Sequence, residues 1–344
     1  LARQGATVVF VEHYPEDVPG YASLKQNREQ LFALLEQLPG EKSFRGTQAF
    51  NFGKGRIIVG SDYHETLERT GVPAEELKTR WGVQFIRRTH TEGHHYFISN
   101  LQANDVEGWV TLNVPEKYIM CFDPMTGKRE IAKTREVEGK TQVYMQLKSG
   151  ESIILQTFTR SLQGEPEWKY RKEMDYSLSL DHGWKLRFVE SYPAIEGEFK
   201  IDTPSSWTEV AHPAAKINRG TALYSLELDL PELSADDWVL DLGDVRESAR
   251  VRINGQEAGV AWAAPFRLSI GQLLKSGKNL IEVEVTNLPV NSIAEMDRQG
   301  KQWRIFEDIN MAKLNYEKGT YGHWETLPSG LNGIVRLIPV KYLF

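Results

Sequence analysis

Trp238 to Asn287 reads WVLDLGDVRESARVRINGQEAGVAWAAPFRLSIGQLLKSGKNLIEVEVTN, and the fold is decided in this stretch. Val239, Asp241, Arg250 and Arg252 sit in runs where apolar and polar residues alternate. A period of two is the mark of a half-buried strand. Asn254-Gly255 directly follows one such run. Asn-Gly between strand-like runs is a strong hairpin signal, because both residues accept the positive φ of a tight turn. Ser276-Gly277-Lys278-Asn279 reads as another turn, and Leu280 to Val285 then alternates almost without fault. The expectation is a set of consecutive antiparallel strands in a β-sandwich.

The same residues carry a resemblance. Arg252-Ile253-Asn254-Gly255-Gln256-Glu257-Ala258-Gly259, then Ala264-Pro265-Phe266, then Leu273-Leu274-Lys275-Ser276-Gly277-Lys278-Asn279, resemble the sugar-binding, galactose-binding-like jelly roll of large glycoside hydrolases. The resemblance implies a fold and no particular substrate, since function resides in sites grafted on folds.

Composition narrows the field. A chain of 344 residues is long enough for two or three domains. Its net charge of −6 implies no basic face for nucleic acid. No apolar run has the length of a membrane span. A single cysteine, Cys121, excludes an intrachain disulfide and a cysteine-rich zinc site, and it lies in the apolar run Tyr118 to Phe122 as a buried thiol would. Leu1 to Gly5 reads as a helix tail with a glycine stop, which implies a piece of a larger polypeptide.

The fold class expected is multidomain and mainly β. Residues 1–80 read as a partial α/β domain: strands at Ala6 to Glu12 and Arg56 to Gly60, with leucines at helical spacing from Leu24 to Leu38 and a stop at Pro39-Gly40. Pro73 to Leu77 reads as another helix start. This segment resembles the amidotransferase-like domain found beside glycosidase barrels, without a cysteine nucleophile. Residues 81–159 read as a small β-sandwich, 160–183 as a polar linker, and 184–344 as the jelly roll with a long insertion at 288–332.

Phe85-Ile86-Arg87-Arg88, Tyr96 to Asn100, Phe122 to Gly127, Ser206-Trp207-Thr208, Gly220 to Tyr224, Leu240 to Gly243, Thr286-Asn287-Leu288 and Pro328 to Leu331 follow one another as they do in glycoside hydrolase family 106. The chain thus resembles the C-terminal, non-barrel region of that family, the α-L-rhamnosidases. It departs from the family at Arg87-Arg88, where His-Arg is usual, and at Asn291-Ser292, where Asn-Arg is usual. The resemblance implies a non-catalytic accessory region that buttresses a catalytic barrel of the same polypeptide. It also implies carbohydrate as partner and a periplasmic or extracellular location.

Glycoside hydrolysis needs two carboxyl groups flanking the scissile bond, and none of the 47 acidic residues stands out as such a pair. Family resemblance places them in the barrel. Asp241 and Asp244 are the candidates for calcium, which the resemblance allows, set against local turn carboxylates. His90, His94 and His95 share one hairpin, but His94 and His95 point to opposite faces of a strand and suit no common metal. Arg88, with Arg87, reaches substrate if this hairpin leans on a barrel; otherwise it is a solvated charge. Sugars stack on aromatic faces. Trp262, Trp303, Arg304, Tyr321 and Trp324 are therefore the candidates for glycan contact, with Tyr316, Arg298, Glu307 and Asp308 nearby in sequence. The alternative function is a carbohydrate-binding module for plant or host glycans that uses this aromatic insertion. Against it stands packing, since a long loop needs a small core of its own.

Overall fold

The computed structural model describes residues 1–39, 46–71, 74–231, 234–304 and 319–344. They form two compact units, Leu1–Trp81 with Val110–Pro115 and Glu136–Gln142, and Gly82–Trp109 with Glu116–Arg135 and Val143–Phe344.

The first unit begins with a 3₁₀ turn at Ala2–Gln4, closed by Gly5 at φ 119°. Glycine alone takes that backbone without strain, as a helix stop requires. Strand β1 (Thr7–Val11), helix α1 (Leu24–Leu35), strands β2 (Gln48–Phe52) and β3 (Gly55–Gly60), and short helices α2 (Tyr63–Glu68) and α3 (Glu76–Thr79) follow. β1 pairs in parallel with β3, from Thr7 opposite Arg56 to Val11 opposite Gly60. Ile57, Ile58 and Val59 are all buried, so the apolar run is covered on both faces as expected. β2, unforeseen in the sequence, completes the sheet antiparallel to β3. None of the α1 residues is fully buried, and Leu35 packs at the edge of a cluster of Tyr14, Ile57 and Val59. Gly40 and Pro73, read as a helix stop and a helix start, lie outside the described residues.

In the second unit β4 (Gln84–His90) and β5 (Gly93–Ser99) form the expected hairpin, with Thr91 and Glu92 alone in the turn. Along the chain β6 (Val106–Leu112), β7 (Tyr118–Phe122), β8 (Arg129–Ile131), β9 (Thr134–Val137), β10 (Lys140–Leu147) and β11 (Ser152–Phe158) follow, with residues 110–112, 136–137 and 140–142 belonging to the first unit. Five of these strands make an antiparallel sheet in the order β4-β5-β11-β7-β8. Tyr96, Ile98, Ile119, Cys121, Ile153 and Leu155 alternate onto its buried face. Burial pushes the Cys121 thiol far above the ordinary cysteine range, so it stays protonated and inert.

The stretch read as a linker is fastened to this unit by backbone pairing. β12 (Arg171–Glu173) and β13 (Leu178–Ser179) both pair antiparallel with the last strand of the chain. Tyr170 is buried and its hydroxyl accepts the Lys133 N–H at 3.1 Å.

The jelly roll continues through β14 (Trp184–Tyr192), β15 (Glu198–Ile201), β16 (Arg219–Leu230), β17 (Asp237–Asp241), β18 (Val245–Arg246), β19 (Ser248–Ile253), β20 (Gln256–Ala261), β21 (Arg267–Ser269) and β22 (Gly277–Thr286). Helix α4 (Val290–Arg298), β23 (Gly330–Leu331) and β24 (Arg336–Tyr342) close it. One sheet has the order β12-β24-β17-β21 with β13 beside β24, and the other the order β15-β14-β16-β22-β19-β20. The strands of Trp238 to Asn287 are therefore divided among three sheets, with β18 pairing β23 in a separate two-stranded ribbon. β17 and β21 belong to the first, and β19, β20 and β22 to the second.

The Asn-Gly turn is where the sequence placed it, with Asn254 at φ 54° and Gly255 at φ 78° between β19 and β20. Along β22, Ile281, Val283 and Val285 face inward, and outward-facing Glu284 meets Arg252 of β19 at 2.7 Å. Trp184, Leu186, Trp207, Tyr224, Leu240, Val251 and Ile281 share one core between the sheets. Each large aliphatic side chain buried there contributes about 1.5–3 kcal/mol. That core holds the loops at the end of the sandwich in fixed positions.

Candidate functional site

The insertion gathers four of the six residues singled out for glycan contact. Its two ends are clasped by Asn291, whose Nδ2 donates to Leu327 O at 2.8 Å while its Oδ1 accepts the Leu327 N–H at 2.9 Å. An amide side chain can match a peptide group in this way because it carries both a donor and an acceptor. The last turn of α4 then organises the rest. Asp297 accepts Trp303 Nε1–H at 2.8 Å on Oδ1 and the Tyr321 N–H on Oδ2. Arg298 donates from Nε to Gly322 O and from Nη2 to Trp324 O, each at 2.9 Å.

The aromatic rings face one another. Tyr321 lies 4.5 Å from Trp324 and 5.7 Å from Trp303 between centroids. The Arg304 guanidinium sits 5.0 Å from the Trp303 ring and 5.2 Å from Tyr321, and also donates to Gly319 O. Each cation–π contact at a partly exposed site is worth about 0.5–1 kcal/mol. The faces a sugar would use on Trp303 and Tyr321 are therefore largely taken by Arg304 and by neighbouring rings. Trp324 remains 39% exposed. Tyr316, Glu307 and Asp308 lie outside the described residues.

Asp297 was not singled out in the sequence, where it is one of many acids. Its hydrogen bond from the Tyr321 amide, with those from Trp303 and Gly322 and the charge of Arg304, holds its carboxyl below the ordinary value of 3.8. A depressed folded pKa means that its contribution is present above the unfolded value and lost as the pH falls through the folded one. Tryptophan emission should therefore report an ordered insertion at neutral pH and a loosened one only after the pH has fallen below the ordinary carboxylate value of 3.8 and through the depressed folded one. Asp297→Ala should abolish that low-pH step and show the loosened emission at every pH.

The other candidates lie apart from this cluster. Trp262 follows β20 at 57% exposure and makes no ring contact among the described residues of the insertion. Arg88 is exposed on β4 opposite His95, without an ion pair among the described residues. The His90 and His95 rings lie 4.5 Å apart between centroids and tilted by 44°, whereas His94 turns away to Glu116 at 3.2 Å. His90 accepts the Glu92 N–H on Nδ1 and reaches Thr157 O from Nε2, which fits a neutral ring protonated on Nε2. Burial first, and the neighbouring His90 second, lower the His95 pKa.

Asp241 and Asp244 do not fit calcium, because both are engaged locally. Asp241 accepts the Gly243 N–H at 2.9 Å and meets Arg267 at 3.4 Å, while Asp244 takes Arg246 on both oxygens at 2.8 and 3.0 Å. A calcium site needs six to eight oxygen ligands. Among the described residues, no group of three or more His, Cys, Asp or Glu could hold a metal ion.

The carboxyls of Glu75, Glu76 and buried Asp237 are likewise engaged in local contacts. An open cavity of about 700 Å³ in the first unit is lined by His64, Glu75, Glu76, Asn113 and Lys140, among others. Glu75 accepts the Asn113 N–H at 3.0 Å and Glu76 pairs with Arg80 at 3.2 Å. Consecutive residues on a helix start do not face a common ligand. Buried Asp237 accepts the N–H groups of Trp238 and Gly271 at 2.8 and 2.9 Å and pairs with Arg171 at 3.3 Å. These carboxyls hold structure together.

Residues 1–135 match the family model described as alpha-L-rhamnosidase. A protein of Formosa agariphila described as a putative beta-glucuronidase is 29% identical over 197 residues, which cover 52% of this chain and 17% of that protein. The solved structure of a rhamnosidase from Novosphingobium sp. PP1Y matches 98% of this chain and 31% of its own, at 24% identity and a TM-score of 0.70. The resemblance read from the motifs thus holds over residues 1–135, and the solved structure shows the fold of nearly the whole chain. This chain spans less than a third of either relative. No helix among the described residues is long and apolar enough to cross a membrane.

Proposed function

We propose that this chain is the non-catalytic C-terminal accessory region of a carbohydrate-degrading glycoside hydrolase of the α-L-rhamnosidase type. In this reading it buttresses a catalytic barrel of the same polypeptide, and the enzyme works in the periplasm or outside the cell. The observation that supports it best is the commitment of the buried carboxyls. Retaining and inverting glycosidases set two carboxyls about 5–9.5 Å apart across the scissile bond, one of them free to give a proton. Glu75, Glu116 and Asp237 instead serve a backbone amide, a histidine and an arginine. The match of residues 1–135 to the rhamnosidase family model points in the same direction.

The alternative, a glycan-binding module built on the insertion, has less support. Trp303 and Tyr321 spend their ring faces on Arg304 and each other, and their N–H groups on Asp297. The insertion works as a clasp that closes its own loop on the end of the sandwich. The coding sequence upstream of Leu1 tests the main reading. A barrel there with two suitably placed glutamates supports it, and an unrelated domain or a start codon would overturn it.

A further inference from the structure

A groove at the end of the six-stranded sheet remains unexplained by that reading. It measures about 450 Å³ and is lined by Glu190, Ser191, Tyr192, Arg219, Asn287 and Pro289, with Gly220 at its floor. Its origin is a break in strand alternation. Trp184, Leu186 and Phe188 of β14 face the core, and a period of two would send Glu190 and Tyr192 inward as well. The register against β16 shifts between Phe188 and Glu190. One extra residue turns every later side chain to the other face. Glu190 and Tyr192 therefore emerge on the outer surface, where Tyr192 is 56% exposed. Gly220 permits the close strand approach, since a Cβ there would stand 2.0 Å from Glu190 O at a φ of 143°.

Tyr192 and Arg219 are direct cross-strand partners, and the guanidinium carbon lies 4.4 Å from the ring centroid. The phenol ring and a long contact of 3.5 Å to Ser292 Oγ hold the arginine in place. Neither Arg219 nor Glu190 has an ion-pair partner among the described residues, although many surface arginines of this acidic chain are paired. An oriented, unpaired guanidinium is a receptor for a planar carboxylate, which it grips with two parallel N–H donors. The guanidinium covers one side of the Tyr192 ring, but Tyr192, unlike the part-buried Trp303 and Tyr321, is more than half exposed and keeps open ring surface for the C–H face of a pyranose, and beyond it stands a carboxylate able to accept sugar hydroxyls.

We infer that this groove binds a uronic acid residue of an acidic glycan, with the sugar carboxylate on Arg219, the ring against Tyr192 and a hydroxyl on Glu190. The site belongs to the jelly roll and stands whether or not a barrel precedes it.

Titration of the 344-residue chain by calorimetry, with two-dimensional amide spectra, tests this. The probes are the methyl glycosides of D-glucuronic and D-galacturonic acid, each against its neutral hexoside. At least one uronide should bind roughly ten- to a hundredfold more tightly than its neutral counterpart, the range expected of a charged hydrogen-bonded pair. The preference should shrink as salt is raised. Arg219→Gln should erase the preference, and Tyr192→Ala should weaken both members of the pair. Equal affinity for uronide and hexoside, no binding of either uronide, or a preference unchanged in a folded Arg219→Gln chain would each overturn the assignment.

Discussion

Replacing Gly330 with alanine is expected to destabilise the second unit by roughly 2–5 kcal/mol, the sum of backbone strain and overpacking. Gly330 opens β23, where the insertion rejoins the sandwich, and its φ is 94°. A Cβ there would lie 2.1 Å from Tyr224 Oη and 2.9 Å from the Trp207 ring. Both neighbours are fully buried and cannot retreat. Tyr224 cannot simply be trimmed, because its hydroxyl accepts the Leu331 N–H at 3.1 Å. Tyr224→Phe alone should cost about 1–3 kcal/mol by leaving that buried N–H unpaired. In the double variant the two losses should sum to more than the measured loss, since the phenylalanine makes room for the new methyl. Chemical denaturation of the four proteins measures this coupling. Strict additivity would show that the Tyr224 hydroxyl is not what confines Gly330.

The second large effect concerns Asp237, a nearly buried carboxylate at the start of β17. It accepts the N–H groups of Trp238 and Gly271 and the Ser269 hydroxyl, and pairs with Arg171 at 3.3 Å. Asp237→Ala would leave a half-buried guanidinium and two backbone donors without their acceptor. Removing one partner of a buried ion pair costs about 3–5 kcal/mol. Asp237→Asn keeps an acceptor and should lose clearly less. Limited proteolysis should find faster cleavage near Arg171 in the alanine variant, because β12 then keeps its backbone pairing with β24 and the Glu173 ion pairs to Arg267 and Lys148 but has lost the pair that anchors its first residue. Full resistance at that segment would refute the role given to Asp237.

These two residues also show where the sequence was legible. The jelly roll was readable because its signals are local. Asn254-Gly255 demanded a turn with positive φ, and Ile281, Val283 and Val285 recorded burial at a period of two. β12 was not readable. Arg171-Lys172-Glu173 is fully charged and becomes a strand only because β24 offers its backbone edge. β8 and β9, three and four residues long with mixed polarity, escaped for the same reason. β2 and α4 were closer to the surface of the sequence. Val290, Ile293 and Ala294 stand at helical spacing, but the helix is short and sits in a stretch dominated by aromatic residues.

The site was legible as an inventory and not as an arrangement. Composition singled out Trp303, Arg304, Tyr321 and Trp324, which the fold brings together, along with Trp262 and Arg88, which it does not. That Arg304 covers two of the rings, and that Asp297 anchors them, depends on where a long loop returns. The groove at Tyr192 and Arg219 depends on a one-residue register shift, which alternation alone cannot announce.

In the proposed reading, the chemistry of hydrolysis lies outside these 344 residues. The most direct test of that reading is the release of 4-nitrophenol from 4-nitrophenyl α-L-rhamnopyranoside by the purified, folded chain. The expected result is a rate no different from buffer across the neutral and mildly acidic range. Turnover that saturates with substrate, and that is abolished by replacing one carboxylate of this chain with its amide, would contradict the account.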